Sequence, residues 1–130
     1  MAELIITLPL SVPVTKGGKL FWINMNQYRN AHFRTLDKAK KVFKETVKEQ
    51  ILALPYLDKV AITYTFYPGK GVIADTNNVC AIADKFFLDA LVELSRLKND
   101  TRAFVLGTQM LPGPRDLLNP RVEARITQHK

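Results

Sequence analysis

The sequence predicts an α+β domain: a mixed β-sheet with two main helices packed on it. Three observations lead there. Two stretches repeat their apolar residues every three to four positions, one stretch alternates strictly, and shorter β-rich runs stand near both ends of the chain. With 130 residues, 47% of them apolar and 24% charged, there is material for one core but not two, and the balance excludes a disordered or collagen-like chain.

Taken in order, Leu4, Ile6 and Leu8 alternate with Ile5 and Thr7, a short strand that Pro9 ends. From Ser11 to Arg34 no period persists apart from a short strand at Leu20 to Ile23, so this stretch reads as a long loop, a feature that in compact domains usually carries function. Thr35 then reads as the N-cap of an amphipathic helix. Its apolar face is Leu36, Ala39, Phe43, Val47, Ile51 and Leu54, its outer face presents Lys38, Lys41, Lys44 and Lys48, and Pro55 stops it. Val60, Ile62, Tyr64 and Phe66 against Ala61, Thr63, Thr65 and Tyr67 form a period-two strand closed by Pro68 and Gly69. Asp75 or Thr76 opens a second helix with Val79, Ile82, Ala83, Phe86, Ala90, Leu91 and Leu94 inward, and the polar turn Lys98-Asn99-Asp100 follows. Ala103 to Gly107 and Arg121 to Thr127 read as closing strands, with a Pro- and Gly-bearing loop from Leu111 to Pro120 between them.

Charge is unevenly spread. The net charge is +7, and Thr15 to Lys48 alone holds nine bases against two acids, leaving the remainder neutral. A localised surplus of this kind suits a polyanion, with nucleic acid as the leading partner and Lys16, Lys19, Arg29, Arg34, Lys38 and Lys41 as the phosphate-facing set. Trp22, Tyr28 and Phe33 fall in the same region; their commoner fate is core or interface packing, the sharper alternative stacking on unpaired bases. His32 reads as a hydrogen-bonding loop residue.

Other chemistries find little support. One cysteine, Cys80, and two histidines cannot build a disulfide framework or a structural zinc site, and a reducing compartment is the simplest expectation. Cys80 reads as a packed side chain. No Walker loop, GxGxxG, HExxH, CxxC or GxSxG occurs, so no nucleotide cofactor is expected. The apolar opening is short and broken by Pro9 and Pro13, so neither a signal peptide nor a membrane partner is expected.

Carboxylates remain. Asp75, Asp84, Asp89 and Asp100 gather in and around the second helix, with Asn77 and Asn78 at its start, and oxygen ligands of this type suit Mg²⁺, with Mn²⁺ as the alternative. Asn77, Ala81, Asp84 and Leu88 share one stripe, but two turns, roughly 10 Å, separate Asn77 from Asp84, too far to ligate one ion easily. Asp75 and Asp100 can meet only if a loop returns across the helix. An acid at a helix start is, on pattern alone, most often a cap.

The run from Asp75 through Asn78, Lys85 and Asp89-Ala90-Leu91 to Asp100 resembles the RusA family of Holliday junction resolvases, in particular its phage and prophage branch. That family opens on an Asp with a nearby Asn, continues to a Lys and an Asp-Ala-Leu, and closes on an Asp. The resemblance implies a RusA-like fold and a homodimeric, Mg²⁺-dependent endonuclease making paired cuts in four-way junction DNA, in the cytoplasm of a bacterial host. It implies Asp75, Asp84 and Asp100 as metal ligands, the ion polarising a phosphoryl oxygen and lowering the pKa of an attacking water. Lys85 would stabilise the charge developing on phosphate. The chain departs from the pattern at Asn77, where the best-known members carry a second acid, and Asp84 is the candidate replacement. Asp89 is expected to be structural, in a buried or hinge-side hydrogen-bonding role. The alternative is a structure-selective DNA-binding protein on the same fold with weak or lost cleavage. A basic scaffold without a nucleic-acid role ranks last, because it leaves the Asp75 to Asp100 pattern unexplained.

Overall fold

Alternation along Lys59–Tyr67 buries Val60, Ile62, Tyr64 and Phe66 on one face, and this strand occupies an inner position of the sheet. The computed structural model describes residues 3–71 and 74–129. In chain order the elements are β1 (Glu3–Leu8), β2 (Ser11–Pro13), β3 (Leu20–Trp22), α1 (Met25–Asn30), α2 (Phe33–Leu52), β4 (Lys59–Tyr67), α3 (Thr76–Glu93), β5 (Val105–Pro112) and β6 (Arg121–His129). The main sheet runs β1-β6-β4-β5, antiparallel except for the parallel β4–β5 pair, and β2 and β3 form a separate antiparallel pair. Parallel neighbours need a crossover, which α3 supplies. The α+β class, the mixed sheet and the two main helices, α2 and α3, are as expected, and among the described residues a short third helix, α1, is added. Among the described residues, no helix is long and apolar enough to cross a membrane.

Register places Ile6, Ala124 and Tyr64 in one row, and Leu8, Val122 and Phe66 in the next, all buried beneath the helices. α2 contributes Ala39, Phe43, Val47 and Ile51. α3 buries nine residues, around most of its circumference, because it lies between the sheet and the other helices. Phe86 is the hub. Its ring lies 5.5 Å from Phe43, 6.1 Å from Phe21 and 6.4 Å from Tyr28, centroid to centroid, joining α3 to α2, β3 and α1.

Several boundaries differ from expectation for local reasons. α2 begins two residues before Thr35, because His32 caps it: its Nδ1 accepts the Arg34 amide at 3.2 Å. It ends at Leu52, ahead of Pro55. The expected strand at Ala103 to Gly107 starts only at Val105, since the Thr101 carbonyl accepts the amides of Phe104 and Val105 in a turn. It then runs to Pro112, where an edge strand tolerates a residue without an N–H, and the following loop starts at Gly113. The stretch expected to be a long loop with one short strand at Leu20 to Ile23 contains that strand as β3, together with β2 and α1, which were not expected. β2 has three residues and α1 buries none, so neither could produce a readable period.

Candidate functional site

α3 is the ruler along which the candidate residues are set. Asp75 is its N-cap, with Oδ1 accepting the Asn77 amide at 3.0 Å. One turn on, the Asn78 Oδ1 accepts the Met25 amide at 2.7 Å, fastening α1 to α3. Asp84 is half-buried, and its Oδ1 accepts a 2.5 Å hydrogen bond from the hydroxyl of Tyr64, which is fully buried on β4. Lys85 is exposed, its Nζ 5.9 Å from the centre of the Tyr28 ring on α1, within cation–π range.

The chain then reverses. Ser95 takes a left-handed φ of 60°, its amide donating to the Val92 carbonyl at 3.0 Å and that of Arg96 to Leu91 at 2.9 Å, a Schellman closure. Leu97 is buried and bridges Leu57, so the returning segment is anchored in the core. This brings Asp100 back along α3 into a hollow of about 270 Å³ shared with Asp84, Lys85, Asp89, Leu88, Lys40 and Tyr28.

The electrostatics of that hollow are those of crowded acids. Burial raises the Asp84 pKa above the ordinary carboxylate value; the Tyr64 hydrogen bond and Lys85 pull it down, and Asp100 pushes it up again. Asp89 is also raised, by burial first, with Lys40 opposing and Asp100 and Glu93 reinforcing the rise. Tyr64 is held well above its usual range by burial and then by the Asp84 charge. Cys80, one turn before Asp84, is fully buried, and burial pushes its thiol up to about 11, in keeping with a packed, unreactive side chain.

Asp75 stands elsewhere. It lines a neighbouring hollow of about 560 Å³ with Met25, Asn26, Arg29, Asn77, Asn78 and Ala81. The stripe of Asn77, Ala81, Asp84 and Leu88 is therefore divided, its first two members facing this hollow and its last two the acidic one. Of the three expected metal ligands the fold unites Asp84 and Asp100, and among the described residues no group of three or more His, Cys, Asp or Glu side chains is close enough to hold an ion.

The expected phosphate-facing bases sit at exposed positions. Lys16 and Lys19 flank the hairpin turn between β2 and β3, Arg29 ends α1, and Arg34, Lys38 and Lys41 lie on α2. Lys40 and Lys44 differ. They reach across to α3, Lys44 to Glu93 at 2.8 Å and Lys40 to Asp89 at 3.9 Å. Trp22 and Phe33, whose commoner fate would be packing, are 47% and 70% exposed, whereas Tyr28 is half-buried against Phe86.

Asp89, expected in a buried or hinge-side hydrogen-bonding role, is half-buried, lies 3.9 Å from Lys40 and lines the acidic hollow. Sequence reasoning missed one residue, Tyr64, which carried a usable signal: the only polar atom on the inward face of β4 is its hydroxyl, and buried hydroxyls find partners. No protein-family model matches this chain, and no curated protein matches it.

Proposed function

We propose that the protein is a metal-dependent endonuclease that resolves four-way DNA junctions by paired symmetric cuts, acting as a homodimer in phage or prophage recombination and repair in the bacterial cytoplasm. The observation that carries the reading is the return of Asp100 across α3 to Asp84 and Lys85. Fifteen residues after Lys85, a second carboxylate is set beside the first by a reversal that would otherwise only bring like charges together.

The donor set fits Mg²⁺. The Asp100 charge adds to the cost of ionising Asp84, which a divalent cation relieves, and Mg²⁺ is commonly held by one or two carboxylates together with substrate phosphate oxygens. When bound, the ion would supply Lewis-acid polarisation of a phosphoryl oxygen and activation of water. The chain's own residues do the rest. Tyr64 fixes one oxygen of Asp84 and leaves the other to the hollow; Lys85, steadied on the Tyr28 face, offers a cation to the phosphate being cut. Asp75 and Arg29 line the adjacent hollow, where the next stretch of the strand would pass. A twofold dimer would present one such site to each of two opposed strands.

Asn77, in place of an acid, and the separate position of Asp75 favour one second reading, a junction-selective binding protein with weak cleavage. One experiment separates the two. Pure protein is incubated with a synthetic four-way junction and with linear duplex, in Mg²⁺, Mn²⁺ or EDTA. Symmetric, metal-dependent nicking of the junction alone supports the nuclease, selective binding without cuts supports the second reading, and equal binding to both DNAs refutes both.

A further inference from the structure

A further concave feature plays no part in the site described so far. A cavity of about 230 Å³ opens between the β2–β3 hairpin, the end of β4 and the start of α3. Its walls are apolar, formed by Leu10, Ile23, Phe66 and Val79, with Trp22 and Lys70 also lining it. Two features make it unlike a packing defect. The chain's single tryptophan, one of its lining residues, is 47% exposed although a packed core lies beside it. Lys70 is exposed and meets no carboxylate among the described residues.

The cavity is also continuous in sequence with the hollow that holds Asp75 and Arg29. Asn24, Ala74 and Val79 line the cavity, while their immediate neighbours Met25, Asp75 and Asn78 line the hollow. A strand whose phosphate meets Arg29 therefore lies next to an apolar slot with an aromatic wall. The volume is below the ~300–1,000 Å³ of sites that enclose whole drug-sized ligands, so it admits a flat ring but not a nucleotide with its sugar and phosphate.

We infer that this cavity is a binding site for one unstacked nucleobase, stacked against Trp22, with Lys70 and Arg29 on the flanking phosphates. The inference rests on the nucleic-acid part of the function proposed above and adds to it a site that reads a base out of its stack rather than a duplex. Bases not held in a helix, as at a strand exchange point, reach such a slot with the least unstacking cost, and aromatic stacking accepts any base because each has a π-face.

Because Trp22 is the only tryptophan, its fluorescence reports on the cavity directly. The protein is titrated, in EDTA, with a short oligothymidylate and with an abasic strand of the same length, binding being followed independently by anisotropy of a dye on the strand. Oligothymidylate should quench Trp22 saturably, and the abasic strand should bind about tenfold more weakly without quenching. Trp22→Ala should lower oligothymidylate affinity by about tenfold and leave the abasic strand unaffected. Ala74→Phe, at an exposed position that fills the mouth, should do the same without removing the tryptophan, and carries the test if Trp22→Ala fails to fold by circular dichroism. Equal binding of the two strands, the result expected if the cavity instead receives a partner's side chain, overturns this inference while junction cutting can persist. Binding of neither strand also overturns this inference, and the nucleic-acid reading falls with it only if the four-way junction is not bound either.

Discussion

Replacing Tyr64 by Phe removes one hydroxyl from a fully buried position and takes from Asp84 its 2.5 Å donor. Hydrogen bonds to charged groups contribute about 1.5–3 kcal/mol, and in a chain of this length 1 kcal/mol moves Tm by roughly 3–5 °C. Tyr64→Phe should therefore lower Tm by roughly 5–15 °C at pH 7. The pH dependence has a definite sign. Burial raises the folded Asp84 pKa above its ordinary 3.8, so the folded state holds this proton more tightly than the unfolded chain. The contribution of Asp84 to stability is then most favourable in acid and is lost as pH rises from about 3.8 through the raised value. The Tyr64 hydroxyl counteracts that rise, so without it the deficit should widen towards neutral pH. In acid it should narrow to the ~0.5–1.5 kcal/mol of a neutral bond. The assay is thermal denaturation of both proteins across pH 4 to 7. A deficit that is the same at every pH, or a Tm change under about 2 °C, would show that the hydroxyl does not hold the ionised carboxylate.

The remaining expectations concern charge and chain reversal. Asp75→Asn and Asp100→Asn should each abolish junction cutting, read on denaturing gels, while leaving junction binding intact or tighter, since each removes repulsion from phosphate; loss of binding in both would refute a chemical role. Lys38→Gln with Lys41→Gln should reduce the slope of log K against log salt by about two if both contact phosphate, because each contact contributes close to one unit. Glu93→Gln should free Lys44, whose pKa its hydrogen bond and charge now raise, so binding should tighten and the salt slope steepen by up to about one while Tm barely changes. Ser95→Gly should raise Tm by a few degrees, as the ~1–2 kcal/mol left-handed cost exceeds the ~0.5–1 kcal/mol entropic cost of glycine; an unchanged Tm would mean the reversal is unstrained.

How much of this was legible before any coordinates depends on length and on distance along the chain. α2, β4 and α3 are long enough, at 20, 9 and 18 residues, for their burial to print a period. α1 has six residues and buries none, yet it supplies Tyr28 to one hollow and Arg29 to the next, so a functional element went unread for lack of a core face. The pairing of Asp84 with Asp100 was implied by the family resemblance but not readable from spacing. It depends on a left-handed residue after α3, and serine there gives none of the signal that glycine would. What the spacing did contain was the separation of Asn77 from Asp84, two turns along the same stripe, and the fold divides that stripe between two hollows accordingly.

The positions of acids and bases also explain why the charge surplus is usable. Lys40 and Lys44 turn inward to Asp89 and Glu93 and close the seam between α2 and α3, so they do not add to the outward field. Lys16, Lys19, Arg29, Arg34, Lys38 and Lys41 form no ion pair among the described residues and remain exposed. Beside them, Asp84 and Asp100 lie in a hollow with Lys85, where burial and the Asp100 charge oppose ionisation of Asp84. A scaffold that only bound polyanion would gain affinity by replacing these acids, since repulsion from phosphate and the burial of charge both work against them. Their cost becomes useful when a cation joins acid and phosphate. Tyr64 then has a reason to be tyrosine: its hydroxyl orients Asp84 and offsets part of the rise that burial imposes on its carboxyl.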